Sequence, residues 1–181
     1  MKRRKGFTLI EIIVVIAIIG VLAAILVPML LGYIRKADKK ADIEAGGTIG
    51  KAVMTMIEEN KAARESFYDD PSTKFSVSAV GTGGTENYDL IVVCKTNGAC
   101  NKWLKVANNS DDFCDKLNST GYLPEMAKVK YKHSANGNIW ILGYRDGDTE
   151  QIEVWTAHSN GANGCEPAYR LWPNPDGEFK G

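Results

Sequence analysis

Between Ile12 and Gly32 the chain runs for 21 residues without a charged side chain. As a helix such a run is about 31 Å long, enough to cross the hydrocarbon core of a bilayer. Its flanks are unequal. Lys2, Arg3, Arg4 and Lys5 precede it, and Glu11 stands one turn inside its apolar boundary. A carboxylate costs on the order of 2.5–3.5 kcal/mol at a bilayer centre on insertion scales, so this position requires a compensating partner.

A secretory signal is cut after its hydrophobic stretch, which discards the stretch. Here the short candidate cleavage site lies before it, at Gly6, directly behind the basic cluster. Cutting between Gly6 and Phe7 keeps the apolar helix and creates a new amino terminus on Phe7. An ordinary single-pass anchor, with Glu11 snorkelling to the headgroups, explains the basic flank by the positive-inside rule but leaves the Gly6–Phe7 junction without a role.

The motif Gly6-Phe7-Thr8-Leu9-Ile10-Glu11, with Pro28 inside the apolar helix, resembles the type IV pilins and the pseudopilins of type II secretion. The likeness covers about the first 35 residues. It implies cleavage after Gly6 by a prepilin peptidase, N-methylation of Phe7, and polymerisation through the N-terminal helix with Glu11 setting axial register against the Phe7 amine of a neighbouring subunit. It further implies a pilus assembly platform as partner, the membrane as the site of the subunit before assembly, and a helical homopolymer as the product. A buried carboxylate is tolerable beside a cation of good geometry, and after cleavage the Phe7 amine is the cation nearest that depth. Glu11 projects about one turn from its own terminus, so a neighbour's amine is at least as good a partner as its own. In the family the stretch around the proline can lose helicity in the fibre, which places kinking or melting between Gly20 and Pro28.

Beyond Tyr33 the helix becomes one-sided. Ile34, Ala37, Ala41, Ala45, Ile49, Val53 and Met56 recur at spacings of three and four, while Lys36, Lys39, Lys40, Asp42, Glu44, Lys51 and Glu59 take the other faces. The expectation is one helix from Phe7 to about Ala63, interrupted in propensity by Gly46, Gly47 and Gly50, which serve either close packing or a hinge. The organisation expected is a leader over 1–6, a membrane and filament-core helix over 7–32, its amphipathic continuation over 33–63, and a globular head over 64–181. The fold class expected is α+β and type IV pilin-like, a long N-terminal helix packed on a small antiparallel sheet.

In the head, Tyr88–Val93 reads as a strand bounded by the glycine-rich loop at 81–84 and by Asn97-Gly98. Ser110-Asp111-Asp112 offers a helix start, with the helix running from Asp111 to Leu117. Val129–His133 and Ile139–Tyr144 flank Asn136-Gly137, a hairpin signal, and Ile139–Tyr144 and Gln151–Trp155 flank Arg145-Asp146-Gly147-Asp148.

Four cysteines, Cys94, Cys100, Cys114 and Cys165, all lie in the head. Export places an even number of cysteines in an oxidising compartment, where disulfides are expected; three pairings are open. A zinc site is disfavoured, because Cys94 and Cys100 are six apart and neither His133 nor His158 stands at finger spacing. Asp146-Gly147-Asp148-Thr149-Glu150 has the alternating carboxylates of a calcium loop. Gln151 stands where the turn glycine belongs and Ala157 where the bidentate glutamate belongs, so an acidic hairpin turn is the better reading.

No cofactor is expected, and no nucleophile–base pattern, phosphate loop or zinc-protease motif marks an enzyme. Four of the 22 basic side chains precede Phe7, so 18 face 22 acidic ones and the remainder carries −4. That balance makes nucleic acid an unlikely main partner. Lys128, Lys130 and Lys132 around Tyr131 would share one face of a strand, which reads first as solvated edge protection and, as the alternative, as the candidate basic patch of a minor tip subunit for adhesion or DNA uptake. Trp103, Trp140, Trp155 and Trp172 read first as core and edge packing, with Trp172-Pro173-Asn174-Pro175 as an alternative exposed contact surface. The readings that follow from the resemblance are a structural pilin, at the cell surface after assembly, or a secretion pseudopilin. Motility, adhesion and DNA uptake stay open among the roles of such fibres.

Overall fold

In the computed structural model, which describes residues 7–68, 73–81, 84–97, 102–106, 112–119, 129–131, 136–158 and 166–179, the chain divides into two compact units. The first, Met1–Ala37, is represented by the N-terminal part of helix α1 (Leu9–Glu59). Every described residue of this unit is exposed, including Phe7 and the apolar side chains from Leu9 to Ile34. By length and composition α1 is apolar enough here to cross a membrane. Both Gly20 and Pro28 lie within its helical span.

The second unit, Asp38–Gly181, contains the rest of α1, then α2 (Lys61–Tyr68), β1 (Thr73–Gly81), β2 (Gly84–Thr96), β3 (Trp103–Lys105), α3 (Asp112–Ser119), β4 (Asn136–Arg145), β5 (Asp148–His158) and β6 (Pro167–Trp172), closed by a 3-10 turn over Gly177–Phe179. The sheet is antiparallel in the order β1-β2-β4-β5-β6, and β3 pairs with the end of β2. It curls far enough for β1 to come against β6. The architecture is therefore the expected α+β arrangement of a long N-terminal helix and an antiparallel sheet.

One face of the sheet receives the helices. Ile91, Val93, Leu142, Tyr144, Ile152 and Val154 pack there with Ile49, Val53 and Met56 of α1, Phe67 of α2 and Phe113 of α3. The other face holds a separate cluster of Leu90, Val92, Ile141, Trp155 and Ala157. Alternation along β2 and β5 thus feeds two cores instead of one core and solvent.

Several expectations change. Of the expected docking stripe of α1, Ile49, Val53 and Met56 are buried and Ala45 packs against the core, joined by Asp42, Gly46, Gly50 and Ile57, while Ile34 and Ala37 are exposed. The helix does not continue to Ala63. It stops at Glu59, and Asn60 starts α2 by accepting the Ala63 N–H on its side chain at 3.0 Å, the bond of an N-cap. Asn136-Gly137 is not a turn, because Asn136 pairs with His158 inside the β4–β5 ladder. Val129–Tyr131 is not a strand, because the N–H groups of Lys130 and Tyr131 go to the Asp42 carboxylate, at 2.8 Å each, instead of to a ladder. The Arg145–Asp148 turn does form, with Gly147 at a φ of 81° that favours glycine.

Of the α1 glycines, Gly46 and Gly50 serve close packing. A Cβ on Gly46 would lie 2.8 Å from Leu171 Cβ, and one on Gly50 would lie 2.6 Å from Trp172 Cδ2. Trp172 is therefore seated on α1 and is half-buried instead of forming an open contact surface. Gly50→Ala is expected to destabilise the head by about 1–3 kcal/mol through overpacking, more than the ~1 kcal/mol that helix propensity returns. Denaturant unfolding of the full chain in detergent measures the sign.

Candidate functional site

The N-terminus of α1 opens on Thr8-Leu9-Ile10-Glu11, which folds as a capping box. The backbone N–H of Thr8 donates to Glu11 Oε2 at 2.8 Å, the Thr8 hydroxyl donates to the same oxygen at 2.7 Å, and the Glu11 N–H reaches the Thr8 hydroxyl at 3.4 Å. Two reciprocal bonds of this kind satisfy donors that every helix start leaves open. The Ser/Thr-x-x-Glu spacing of Thr8 and Glu11 is itself a sequence signal for this cap. Both recorded bonds fall on Oε2. Among the described residues Oε1 takes none, so the cap and a cation from outside do not compete for the same oxygen.

Behind this start the exposed apolar side chains continue without a charge to Gly32, with Phe7 itself 84% exposed. A 51-residue helix that leaves so much apolar surface open must cover it with lipid or with other protein. Gly6 lies outside the described residues, so of the junction the structure places only Phe7.

The head attaches to the second part of α1 through a polar clasp that sequence reading missed. Asp42 is 1% exposed and accepts the two N–H groups named above. Burial pushes its carboxyl up, against the two N–H bonds that favour the charged form. One turn earlier, Lys39 donates to the Glu178 carbonyl and carboxylate, Tyr131 O–H donates to Glu178 Oε1 at 2.8 Å, and the Lys39 ammonium lies 4.7 Å from the Tyr131 ring centroid. An aspartate in a stretch of alternating charges, with Asp38 one turn before it and Glu44 just after, reads as solvated, which is why its burial gave no sequence signal. Asp42→Ala leaves the buried Tyr131 N–H and the part-buried Lys130 N–H without partners and is expected to cost about 2–4 kcal/mol, read by chemical denaturation. Asp42→Asn retains one acceptor and should cost about half as much.

A second missed group lies on the other face of the sheet. Glu153 is fully buried and Arg170 is 1% exposed. Glu153 Oε1 accepts from Arg170 Nη1 at 3.1 Å and Arg145 Nη2 at 3.3 Å, while Oε2 accepts from Trp155 Nε1 at 2.8 Å and from the Tyr88 hydroxyl. Glu86 Oε2 accepts from the same two arginines, at 3.3 and 3.2 Å. Arg170 Nε donates to the Asn174 carbonyl at 2.8 Å, and the Arg145 guanidinium lies 4.0 Å from the Tyr88 ring centroid. Burial and the Glu153 charge push the Tyr88 phenol up. Partial burial would raise the Glu86 carboxyl, but the two arginines hold it below its ordinary value. The four charged groups and Tyr88 bond mainly to one another, which reads as a structural network.

Other candidates are placed as follows. Cys94, on β2, and Cys114, on α3, are buried in one apolar cluster. Cys100, Cys165, His133, Lys128 and Lys132 lie outside the described residues. Lys130 belongs to the non-strand segment that binds Asp42, so the shared strand face assumed for the basic patch is not formed there. His158 ends β5, with its N–H donating to the Glu166 carbonyl at 2.8 Å. In the acidic loop, Asp146 pairs with Lys74 and Asp148 accepts the Glu150 N–H at 3.2 Å, the bonding of a hairpin turn. Among the described residues no group of three or more His, Cys, Asp or Glu side chains could hold a metal ion.

Residues 1–27 match the family model described as the prokaryotic N-terminal methylation motif. The N-terminal segment is therefore similar to those of type IV fimbrial proteins and of a type II secretion core protein. The chain is 41% identical over 64 residues to the type IV major fimbrial protein FimA of Dichelobacter nodosus, covering 35% of this chain and 41% of that protein. It is 58% identical over 40 residues to the type II secretion system core protein G of Klebsiella pneumoniae, covering 22% of this chain and 29% of that protein. It is 35% identical over 94 residues to fimbrial protein Q of Moraxella bovis, covering 50% of this chain and 57% of that protein. The matches thus span less than two thirds of these relatives' own lengths. No solved structure matches the chain. This prepilin-type segment includes Phe7 and Glu11, the residues that the capping box and the exposed apolar helix single out.

Proposed function

We propose that this chain is the structural subunit of a type IV pilus-like filament. It is cleaved after Gly6 by a prepilin peptidase, N-methylated on Phe7 and polymerised through the first part of α1. The observation that carries this reading is the methylation motif over residues 1–27 running directly into a helix whose apolar side chains are uncovered. Before assembly lipid covers those side chains, with the basic leader cytoplasmic. In the fibre, neighbouring helices replace the lipid. Exchange of one apolar surrounding for another supplies little dehydration, so close packing and the pairing of Glu11 with a neighbour's Phe7 amine must drive assembly. The head then faces outward. This role needs no cofactor and no catalysis by the chain itself.

The processing step is tested with a Gly6 variant. Gly6→Val is expected to remain full-length in the membrane, at its unprocessed mass, while the unaltered chain loses its first six residues. A processed Gly6→Val chain would contradict the proposal.

The four cysteines enter the oxidising compartment with the head, where two disulfides are proposed. Alkylation of the denatured, unreduced chain should modify none of them, and modification of all four would overturn this.

The pseudopilin reading is supported by the 58% identity over 40 residues to a type II secretion core protein. It predicts the same processing and the same Glu11 chemistry. Electron microscopy of sheared surface fibres separates the two, since long fibres built mainly of this chain require the pilin reading.

A further inference from the structure

Strand β2 changes neighbours along its length. From Leu90 to Lys95 it is laddered to β4, whereas from Gly84 to Tyr88 its strand partner among the described residues is β1 alone. The boundary falls at Asp89, whose carbonyl still accepts the Asp146 N–H at 2.9 Å. Beyond it, Val77–Gly81 and Gly84–Tyr88 form a hairpin arm that side chains, not a ladder, hold to β4, β5 and β6. Glu86 reaches Arg145 and Arg170, and Tyr88 reaches Arg170, Glu153 and, through its ring, Arg145. Val77 and Tyr88 lie against the cluster of Leu90, Val92, Ile141, Trp155 and Ala157.

Two further observations bear on how this arm is held. The seam between it and β5–β6 is incompletely filled: Ser76, Ser78, Trp155, His158 and Pro167 are among the residues lining a cavity of about 230 Å³. The charges are also divided. Arg145, Arg170 and Glu153 on the body of the sheet sum to +1, and Glu86, carried by the arm, brings the cluster to neutrality. The two apolar clusters share no residue, and α1 packs only in the other one.

We propose that the β1–β2 arm is a latched cover over the second apolar cluster, with Glu86 and Tyr88 as the latch, able to open while the core that holds α1 stays folded. Side-chain latches of this kind yield local opening at a lower free energy than global unfolding.

Amide hydrogen exchange on the full chain in detergent tests this. Glu86 is 46% exposed, so Glu86→Gln is tolerated by the fold while the charge on the arm is removed. Exchange at 77–81 and 84–88 should rise about tenfold, the effect expected when a charged acceptor is lost, with residues 91–95 of the same strand unchanged. Tyr88→Phe, which keeps the ring over Arg145 but removes the hydroxyl, should do the same. Unchanged exchange in both variants, or equal acceleration along all of β2, would overturn the proposal.

Discussion

Glu11→Ala is expected to enter the membrane as the unaltered chain does and to yield no filaments. The substitution removes a costly charge from an apolar helix, so insertion loses nothing. It also removes the capping box, worth about 0.5–2 kcal/mol, from a helix of 51 residues that does not depend on its first turn. Assembly is different. Loss of one partner from a buried ion pair costs about 3–5 kcal/mol and leaves the other charge stranded, and in the proposed filament the loss would recur at every subunit contact. Filament yield should then fall by more than about a hundredfold, since each 1.4 kcal/mol is a factor of ten.

The capping box supplies the control. Glutamine at the third helical position still completes a cap, so Glu11→Gln keeps the local bonds to Thr8 and removes only the charge. Thr8→Ala removes the hydroxyl bond and retains the charge. If the carboxylate pairs across subunits, Gln should fail nearly as badly as Ala, and Thr8→Ala should assemble. If Glu11 does no more than cap, Gln should assemble normally. Pulldown of sheared fibres with quantification of this chain reads all three variants.

Arg170→Leu is expected to destabilise the head by about 3–5 kcal/mol in denaturant unfolding. It removes the Arg170 bonds to Glu153, Glu86, Tyr88 and the Asn174 carbonyl, and leaves fully buried Glu153 with Arg145 as its remaining cation. The double variant Arg170→Leu/Glu153→Leu should recover a large part of that loss, because desolvation of two ions offsets much of their attraction. Strict additivity of the two single substitutions would mean that the pair is not energetically coupled. The arrangement specifies which strands meet more than it adds net stability: the two residues lie on β6 and β5, with Tyr88 of β2 and Arg145 of β4 closing around them.

The parts of this chain legible in the sequence are those written by local periodicity and by turn chemistry. The uncharged run 12–32, the Asp146-Gly147 turn, α3 and the central parts of β2, β4 and β5 are of this kind. So were β1 and the Thr8–Glu11 box. Phe75, Val77 and Ala79 alternate with Lys74, Ser76 and Ser78, and a capping spacing stands at the start of the helix, although neither is among the elements expected above. Other elements were not legible because distant partners decide them. Asp42 is a polar residue on a helix until a loop 88 positions away brings it two N–H groups. Glu153 resembles a solvated strand residue until the curl of the sheet brings Arg170 and Tyr88 onto its face. The stripe on α1 is only partly legible because glycine carries no hydrophobic signal, although Gly46 and Gly50 are where β6 approaches most closely.

The most direct test of the central claim is the intact mass and N-terminal sequence of this chain recovered from sheared surface fibres. The account predicts a subunit that begins at Phe7, carries a methylated amine and retains the whole apolar run 12–32. A fibre subunit that begins at Met1 or beyond Gly32, or fibres that lack this chain, would contradict it.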